Sequence, residues 1–458
     1  MTTAELRSRL AGIDEQILTL QAERATIAAQ LSAAVYPVLS LPTDITSEIF
    51  LQYADDVRVY PSTCDPIILS HVCSLWRAVA LCTPRLWTRV ERERYRSLEE
   101  LDNCAHLSDF LGMWLSRTGA LPLDLHIQLP SPEAPECGRL FGLLADNAAR
   151  LENLDLHCPT TMEISADRLG PLPFLSKLSL ASANKHVLIP EPLDVPRLRE
   201  VRLFALILPQ WQKACLPWSQ ITVLRFLNGN LGDCMDLVEL TPNLEVLEFI
   251  DDGQAFVEPI PGPRVLPHLH TLILGLYTDH DILPYLVLPA LVDLRFRDDI
   301  SSLGPFVEDL ISRSACSLTS MAFSICESSD VDAMKSCLLL TPALRKLEVT
   351  FYNITSQTLG AVFRALRLKK KRRVPALGSL RFYGCETKVP LPSLVEMLTS
   401  RRNEGSLRLF KMTVNKYGAT DVPDPGVEDQ LEQWRALGSG GLELEISSQA
   451  QWLDEYLF

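Results

Sequence analysis

Apolar positions near the N-terminus repeat at helical intervals. Leu6, Leu10, Ile13, Ile17, Leu20, Ile27 and Leu31 follow at spacings of 4, 3, 4, 3, 7 and 4, with Arg24 in the long gap. This a/d heptad stripe predicts one helix ending before Pro37. Two readings stay open: a dimeric coiled coil through residues 6–31, or a single amphipathic helix lying on the next domain. Further on, Pro42 can open a helix. Ile45 and Ile49 sit one turn apart on it, with Phe50 beside them. A polar loop covers residues 54–65. A second helix is predicted from Pro66, with Leu69, Val72, Trp76 and Val79 as its core stripe. Thr83–Pro84 restarts the chain before Leu86–Trp87. Such a hairpin is too small for a generous core and needs a neighbour.

Leu107, Phe110, Leu111, Trp114 and Leu115 predict a buried-face helix over 104–117. Alternation of Leu121, Leu123, Leu125 and Ile127 predicts a strand, and 130–138 a loop. From there a pattern L-x-x-L-x-L, with aliphatic or aromatic substitutes, recurs eleven times. The units start at Leu151, Leu175, Leu198, Ile221, Leu244, Leu269, Leu291, Leu318, Leu344, Leu377 and Leu407, at steps of 22 to 33 residues. That period fits leucine-rich repeats, with insertions in the later units. No unit can bury its apolar face alone, so the units should stack into a parallel sheet. Return segments are mixed. Some carry helical stripes, such as Phe141, Leu144 and Ala148, or Met334, Cys337 and Leu338; others are Pro-rich, such as 208–218. Val427, Leu431, Trp434 and Leu437 predict a closing helix before a last strand, LELEI.

Within each predicted strand, alternate side chains face outward. They include Asp155 and His157, Arg202 and Phe204, Arg225 and Leu227, Glu248 and Ile250, Arg295 and Arg297, Glu348, and Arg381 with Tyr383. Arginine takes the middle outward position in four of the eleven units. An open face mixing arginine with aromatic and aliphatic groups suits protein recognition. The expected target-binding residues are Arg202, Phe204, Arg225, Arg295, Arg297, Glu348, Arg381 and Tyr383. An exposed sheet merely solvated by its arginines is the plainer alternative.

The segments LPTDITSEIF, LSHVCSLWRAVAL and TPRLW, in that order over residues 38–88, resemble the F-box motif of large fungal families. The resemblance implies a small helical module that binds a Skp-type adaptor and thereby a cullin-based ubiquitin ligase. It assigns Leu41, Pro42, Ile45, Ile49, Val72, Leu86 and Trp87 to the adaptor-binding patch and leaves Trp76 inside. The loop between Phe50 and Ile67 is longer than in the compact motif. The repeats, mostly lacking the asparagine that follows the strand in strict units, are similar to the degenerate repeats of F-box proteins.

Composition narrows the function. The 458 residues are 47% hydrophobic and 22% charged, a globular balance. A formal charge of −14 disfavours nucleic acid as a partner. The 12 cysteines form no CxxC pair; those in apolar settings, such as Cys73, Cys215 and Cys337, read as thiols in a reducing compartment. The charged N-terminus does not fit a signal peptide, and no apolar run approaches the ~20 residues of a membrane span. Cytoplasm or nucleus follows. The basic run 367–374 reads as a nuclear-import signal or as a solvated helix end. His268, His270 and His280 lack a ligand set with metal spacing. No nucleophile–base pair or phosphate-binding loop is present, so no cofactor and no catalysis are expected.

The predicted fold class is an α/β solenoid, an irregular leucine-rich-repeat horseshoe with a parallel sheet. The domains are an N-terminal helix (1–35), an F-box-like module (36–90), a bridging helix and capping strand (91–130) and the solenoid (131–458). The expected function is substrate recognition within an SCF-type ligase, with an unknown protein as target. The alternative is a repeat scaffold with no ligase role.

Overall fold

The computed structural model describes residues 3–33, 37–56, 66–91, 107–158, 160–182, 184, 186–206, 215–251, 253, 262–275, 282–300, 304–368, 374–385, 389–404, 407–415 and 443–449. The chain forms two compact units, Met1–Thr88 with Met113–Leu121, and Arg89–Gly112 with Pro122–Phe458.

The first unit is helical. Its helices are α1 (Thr3–Ala33), α2 (Thr43–Asp56), α3 (Pro66–Val72) and α4 (Ser74–Leu81). α1 is one helix, and its heptad side chains from Leu6 to Ile27 are exposed. That exposure is what an unpartnered seam shows, and both readings of the helix stay open; the Leu31 side chain lies outside the described residues. The helix expected to run on from Pro66 is two helices. Cys73 breaks it in extended conformation, its thiol accepting the Trp76 N–H at 3.4 Å as the cap of α4. The break takes Val72 off the core stripe: Leu69 and Val79 are buried, Trp76 is half-buried and Val72 is exposed. Phe50, on the inner side of α2, meets the Trp76 ring edge-on at 5.0 Å.

The second unit is built on one 14-stranded sheet. In chain order the strands are β1 (Arg89–Glu91), β2 (Leu123–Gln128), β3 (Leu151–Cys158), β4 (Met162–Glu163), β5 (Lys177–Ser182), β6 (Val187–Leu188), β7 (Glu200–Phe204), β8 (Val223–Gly229) and β9 (Val246–Asp251). They continue as β10 (Arg264–Val265), β11 (Thr271–Gly275), β12 (Leu286–Val287), β13 (Asp293–Asp299), β14 (Ser320–Ile325), β15 (Lys346–Phe351), β16 (Ser379–Cys385), β17 (Leu409–Asn415) and β18 (Glu443–Gln449). The large sheet runs β1-β2-β3-β5-β7-β8-β9-β11-β13-β14-β15-β16-β17-β18, and each strand is parallel to its neighbours. β4 with β6 and β10 with β12 form two small parallel ladders. Each return of the chain therefore adds one strand beside the last.

All eleven L-x-x-L-x-L segments become strands of this sheet, as do the alternating segment before them and LELEI. The sheet begins one strand earlier than expected, at β1, which pairs with β2. The predicted helix over 427–437 lies outside the described residues, as do positions 208–214 and His280.

The repeat consensus explains the packing. The first apolar residue of each unit is buried, and in all but the first, where Leu151 opens β3, it lies just before the strand, as Leu175, Leu198, Leu244 and Leu344 do. The second and third fill inner rows, where Phe226 stacks on Phe249 and Phe382 meets Phe351, Phe363 and Phe410. Backbone hydrogen bonds fix the register ahead of the strands. The carbonyls of Ser176, Arg199, Thr222 and Glu245 each accept two successive N–H groups from the next unit. Covering helices are α6 (Pro135–Asp146), α7 (Ala166–Leu169), α8 (Leu231–Leu240), α9 (Gly304–Ser314), α10 (Ser328–Leu340), α11 (Ser356–Leu366) and α12 (Leu391–Glu404), after α5 (Leu107–Leu115). α6 starts at Pro135, inside the stretch expected to be a loop, because proline at the first helical turn loses no hydrogen bond. Its Glu136 accepts the Ser108 N–H at 2.6 Å in the first turn of α5, a donor with no partner inside the helix.

Candidate functional site

The residues expected to bear on function lie on two surfaces, one in each unit. On α2, Ile45, Ile49 and Tyr53 fall at i, i+4 and i+8 and form one stripe. Ile45 is 47% exposed and Ile49 46%, while Thr46 and Phe50 on the adjoining face are buried. Leu41 is half-buried, Pro42 exposed, and Val72 is 57% exposed. Leu86 and Trp87 do not belong to this surface. Both are buried, and Trp87 is held on every side. Its indole N–H donates to the Ala80 carbonyl at 2.8 Å, and its own carbonyl accepts the Trp114 indole N–H at 2.6 Å. The Trp114 ring packs edge-on at 4.8 Å and the Arg117 guanidinium lies 4.3 Å over the Trp87 ring. A tryptophan committed in this way is core, so the sequence-based assignment of Leu86 and Trp87 to a docking patch is corrected. Tyr53 was not foreseen; a turn-by-turn extension of the Ile45–Ile49 pair finds it.

On the sheet, the register brings the outward residues into rows. One row reads His126, Asp155, Ser179, Arg202, Arg225, Glu248, Ile273 and Arg295 across β2 to β13. It continues through Ala322, Glu348 and Arg381 to Lys411. The expected face residues Arg202, Phe204, Arg225, Arg295, Arg297, Glu348, Arg381 and Tyr383 are all half-buried. Leu227 and Glu248, read as outward, are buried, Glu248 beneath the Arg225 and Arg297 side chains that pair with it.

Several of the arginines are paired with carboxylates, some across strands and some along one. Arg225 donates to Glu200 at 3.0 Å and to Glu248 at 2.6 Å. Arg297 donates to the other oxygen of Glu248, which is only 1% exposed. Arg295 pairs with Asp293 at 2.8 Å. Glu348 receives Lys346 at 3.0 Å and Arg381 at 3.3 Å. Burial would lower the Arg225 pKa, but the hydrogen bond and charge of Glu248, then those of Glu200, raise it. His126 stands between Asp124 at 3.1 Å and Asp155 at 3.2 Å. Burial works against its proton, yet the two carboxylates push its pKa up to about 9. Burial would raise Asp124, but the His126 hydrogen bond and charge hold it below the usual carboxylate range. Much of the arginine signal in the sequence is thus an internal ion-pair ladder. The missed members, Asp124, Glu200 and Asp293, sit two residues before His126, Arg202 and Arg295 on the same strand face. That i, i+2 alternation of sign was the available signal.

Elsewhere, Arg401 is fully buried and donates to the Leu366 and Val374 carbonyls, both at 2.7 Å. Burial lowers its pKa to about 10. It thereby ties the residue just before the basic run to the run's last residue, Val374; residues 369–373 lie outside the described residues. Among the described residues no group of three or more His, Cys, Asp or Glu could hold a metal ion, and no helix is long and apolar enough to cross a membrane.

No protein-family model matches the chain, and no curated protein sequence matches it. Among solved structures it is similar to that of the TLR13–ssRNA13 complex, at 13% identity and a TM-score of 0.34, covering 75% of this chain and 52% of that one. The chain thus spans about half the length of that structure. A likeness of this depth carries no inference about binding or activity.

Proposed function

We propose that the chain is a non-catalytic adaptor of an SCF-type ubiquitin ligase. In this reading residues 36–90 are an F-box that docks a Skp-type adaptor and, through it, a cullin. The strands that follow are degenerate leucine-rich repeats that hold a protein target. The adaptor does no chemistry; it raises the local concentration of the target near the ubiquitin-loaded enzyme.

The observation that carries the reading is the α2 stripe. Ile45 and Ile49, which the F-box resemblance assigns to the docking patch, are exposed aliphatic groups one turn apart. The module has its own buried side, around Phe50 and Trp87. Contiguous apolar surface left open on a small module is a mark of an interaction site. The burial of Leu86 and Trp87 favours a second reading, a repeat scaffold with no ligase role, because two of the seven assigned positions are closed to a partner.

Co-purification with a Skp-type adaptor separates the two. The ligase reading expects the wild-type chain to retain the adaptor and an Ile45→Asp, Ile49→Asp double variant to lose it at least ten-fold, since buried carboxylates in an apolar interface are strongly disfavoured. Equal recovery of adaptor by both proteins removes the basis of the ligase reading.

A further inference from the structure

We propose that α1 pairs with α1 of a second copy of this chain as a parallel, in-register two-stranded coiled coil. The proposal is independent of adaptor docking, because it concerns a different helix and needs no other protein.

The spacing itself argues for a helical partner. Intervals alternating 4 and 3 average 3.5 residues, whereas a straight helix turns every 3.6. A seam of that period stays in register only against a second, supercoiled helix. The register places Leu10, Ile17, Arg24 and Leu31 at a and Leu6, Ile13, Leu20 and Ile27 at d. The six aliphatic side chains of that seam from Leu6 to Ile27 are 45–63% exposed. α1 has 31 residues and is about 46 Å long; the open seam from Leu6 to Ile27 covers about 32 Å of it.

Charges beside the seam select the occupant and its direction. Arg9, Gln16 and Glu23 lie at g; Asp14, Gln21 and Ala28 lie at e. In a parallel pair each g residue faces the partner's e residue five positions on. Arg9 then meets the partner's Asp14, twice by symmetry. Gln16 meets the partner's Gln21, Glu23 meets the partner's Ala28, and none of these flanking g–e pairs sets like charges together; in the seam itself Arg24 faces the partner's Arg24. Arg24, the one polar a position among these heptads, lies beside the partner's Glu23. A single polar residue in the seam fixes register and strand number at some cost in stability. An antiparallel pair gives none of these ion pairs, since Arg9 would face the partner's Gln30 and Asp14 the partner's Gln21. The parallel dimer carries two sheets and two copies of the N-terminal helical module, so a target with two binding segments can be held at both.

Sedimentation equilibrium of the full chain tests this. The wild type is expected at about twice the 51.2 kDa chain mass. An Ile13→Lys, Leu20→Lys variant is expected at the monomer mass with an unchanged melting profile for the sheet unit. Arg9→Glu should weaken the dimer roughly ten-fold, and adding Asp14→Arg to it should restore the wild-type constant. A monomeric wild type, a Lys variant that stays dimeric, or an Arg9→Glu variant as tight as wild type would each overturn the proposal.

Discussion

His126 and Glu248 show how one side chain can carry both stability and a misleading signal. The folded pKa of His126, about 9, lies above the ordinary 6.5. Its ion pairs with Asp124 and Asp155 therefore stabilise the fold fully below about pH 6.5, and that contribution is lost as pH rises through 9. The ring is 30% exposed, so solvent screening discounts it to on the order of 1–2 kcal/mol. Denaturant melts from pH 6 to 10 should show the wild type losing stability across this window and His126→Gln showing little such slope; parallel profiles for the two would contradict the assignment. Glu248 joins Arg225 and Arg297 from strands on either side. Glu248→Ala leaves two partly buried guanidinium groups without their shared carboxylate and should cost about 3 kcal/mol by the same melts. A cost under about 1 kcal/mol would mean the ladder is solvated rather than structural. The arginines of this ladder were legible in the sequence as residues but not as pairs. Arg225 and Glu248 are 23 positions apart, and only the strand register joins them.

At the scale of elements, legibility followed repetition. Each L-x-x-L-x-L segment presents two inner rows and a buried apolar residue at or just before the start of the strand, so one pattern recurring eleven times predicts each strand better than any unit alone. β1, Arg89–Val90–Glu91, escaped because three residues carry no period. The interruption at Cys73 escaped for a different reason. Leu69, Val72, Trp76 and Val79 keep an unbroken helical spacing, and cysteine is not among the favoured capping residues. Its thiol nevertheless caps α4, at a sulfur–nitrogen distance of 3.4 Å. Serine makes the same bond with a stronger acceptor. Cys73→Ser should therefore raise stability by about 0.5 kcal/mol, and Cys73→Ala lower it by a similar amount. A thermal melt in which serine is no better than alanine would show that the thiol is not acting as a cap.

For the whole molecule, the helical unit offers apolar side chains on its surface while much of the sheet's charge is satisfied internally. The Ile45–Ile49–Tyr53 stripe of α2 and the exposed Val72 are open to a partner. The ladder of Glu200, Arg225, Glu248 and Arg297 is occupied with itself. In the proposed reading a target on the repeat sheet would be held by residues outside that ladder, among them the half-buried aromatics Phe204 and Tyr383. Amide hydrogen exchange of the full chain with and without a Skp-type adaptor tests adaptor docking most directly. The account predicts protection of at least ten-fold in α2 and in residues 37–42, with the strands of the sheet unchanged. Protection confined to the sheet strands, or none anywhere at saturating adaptor, would contradict it.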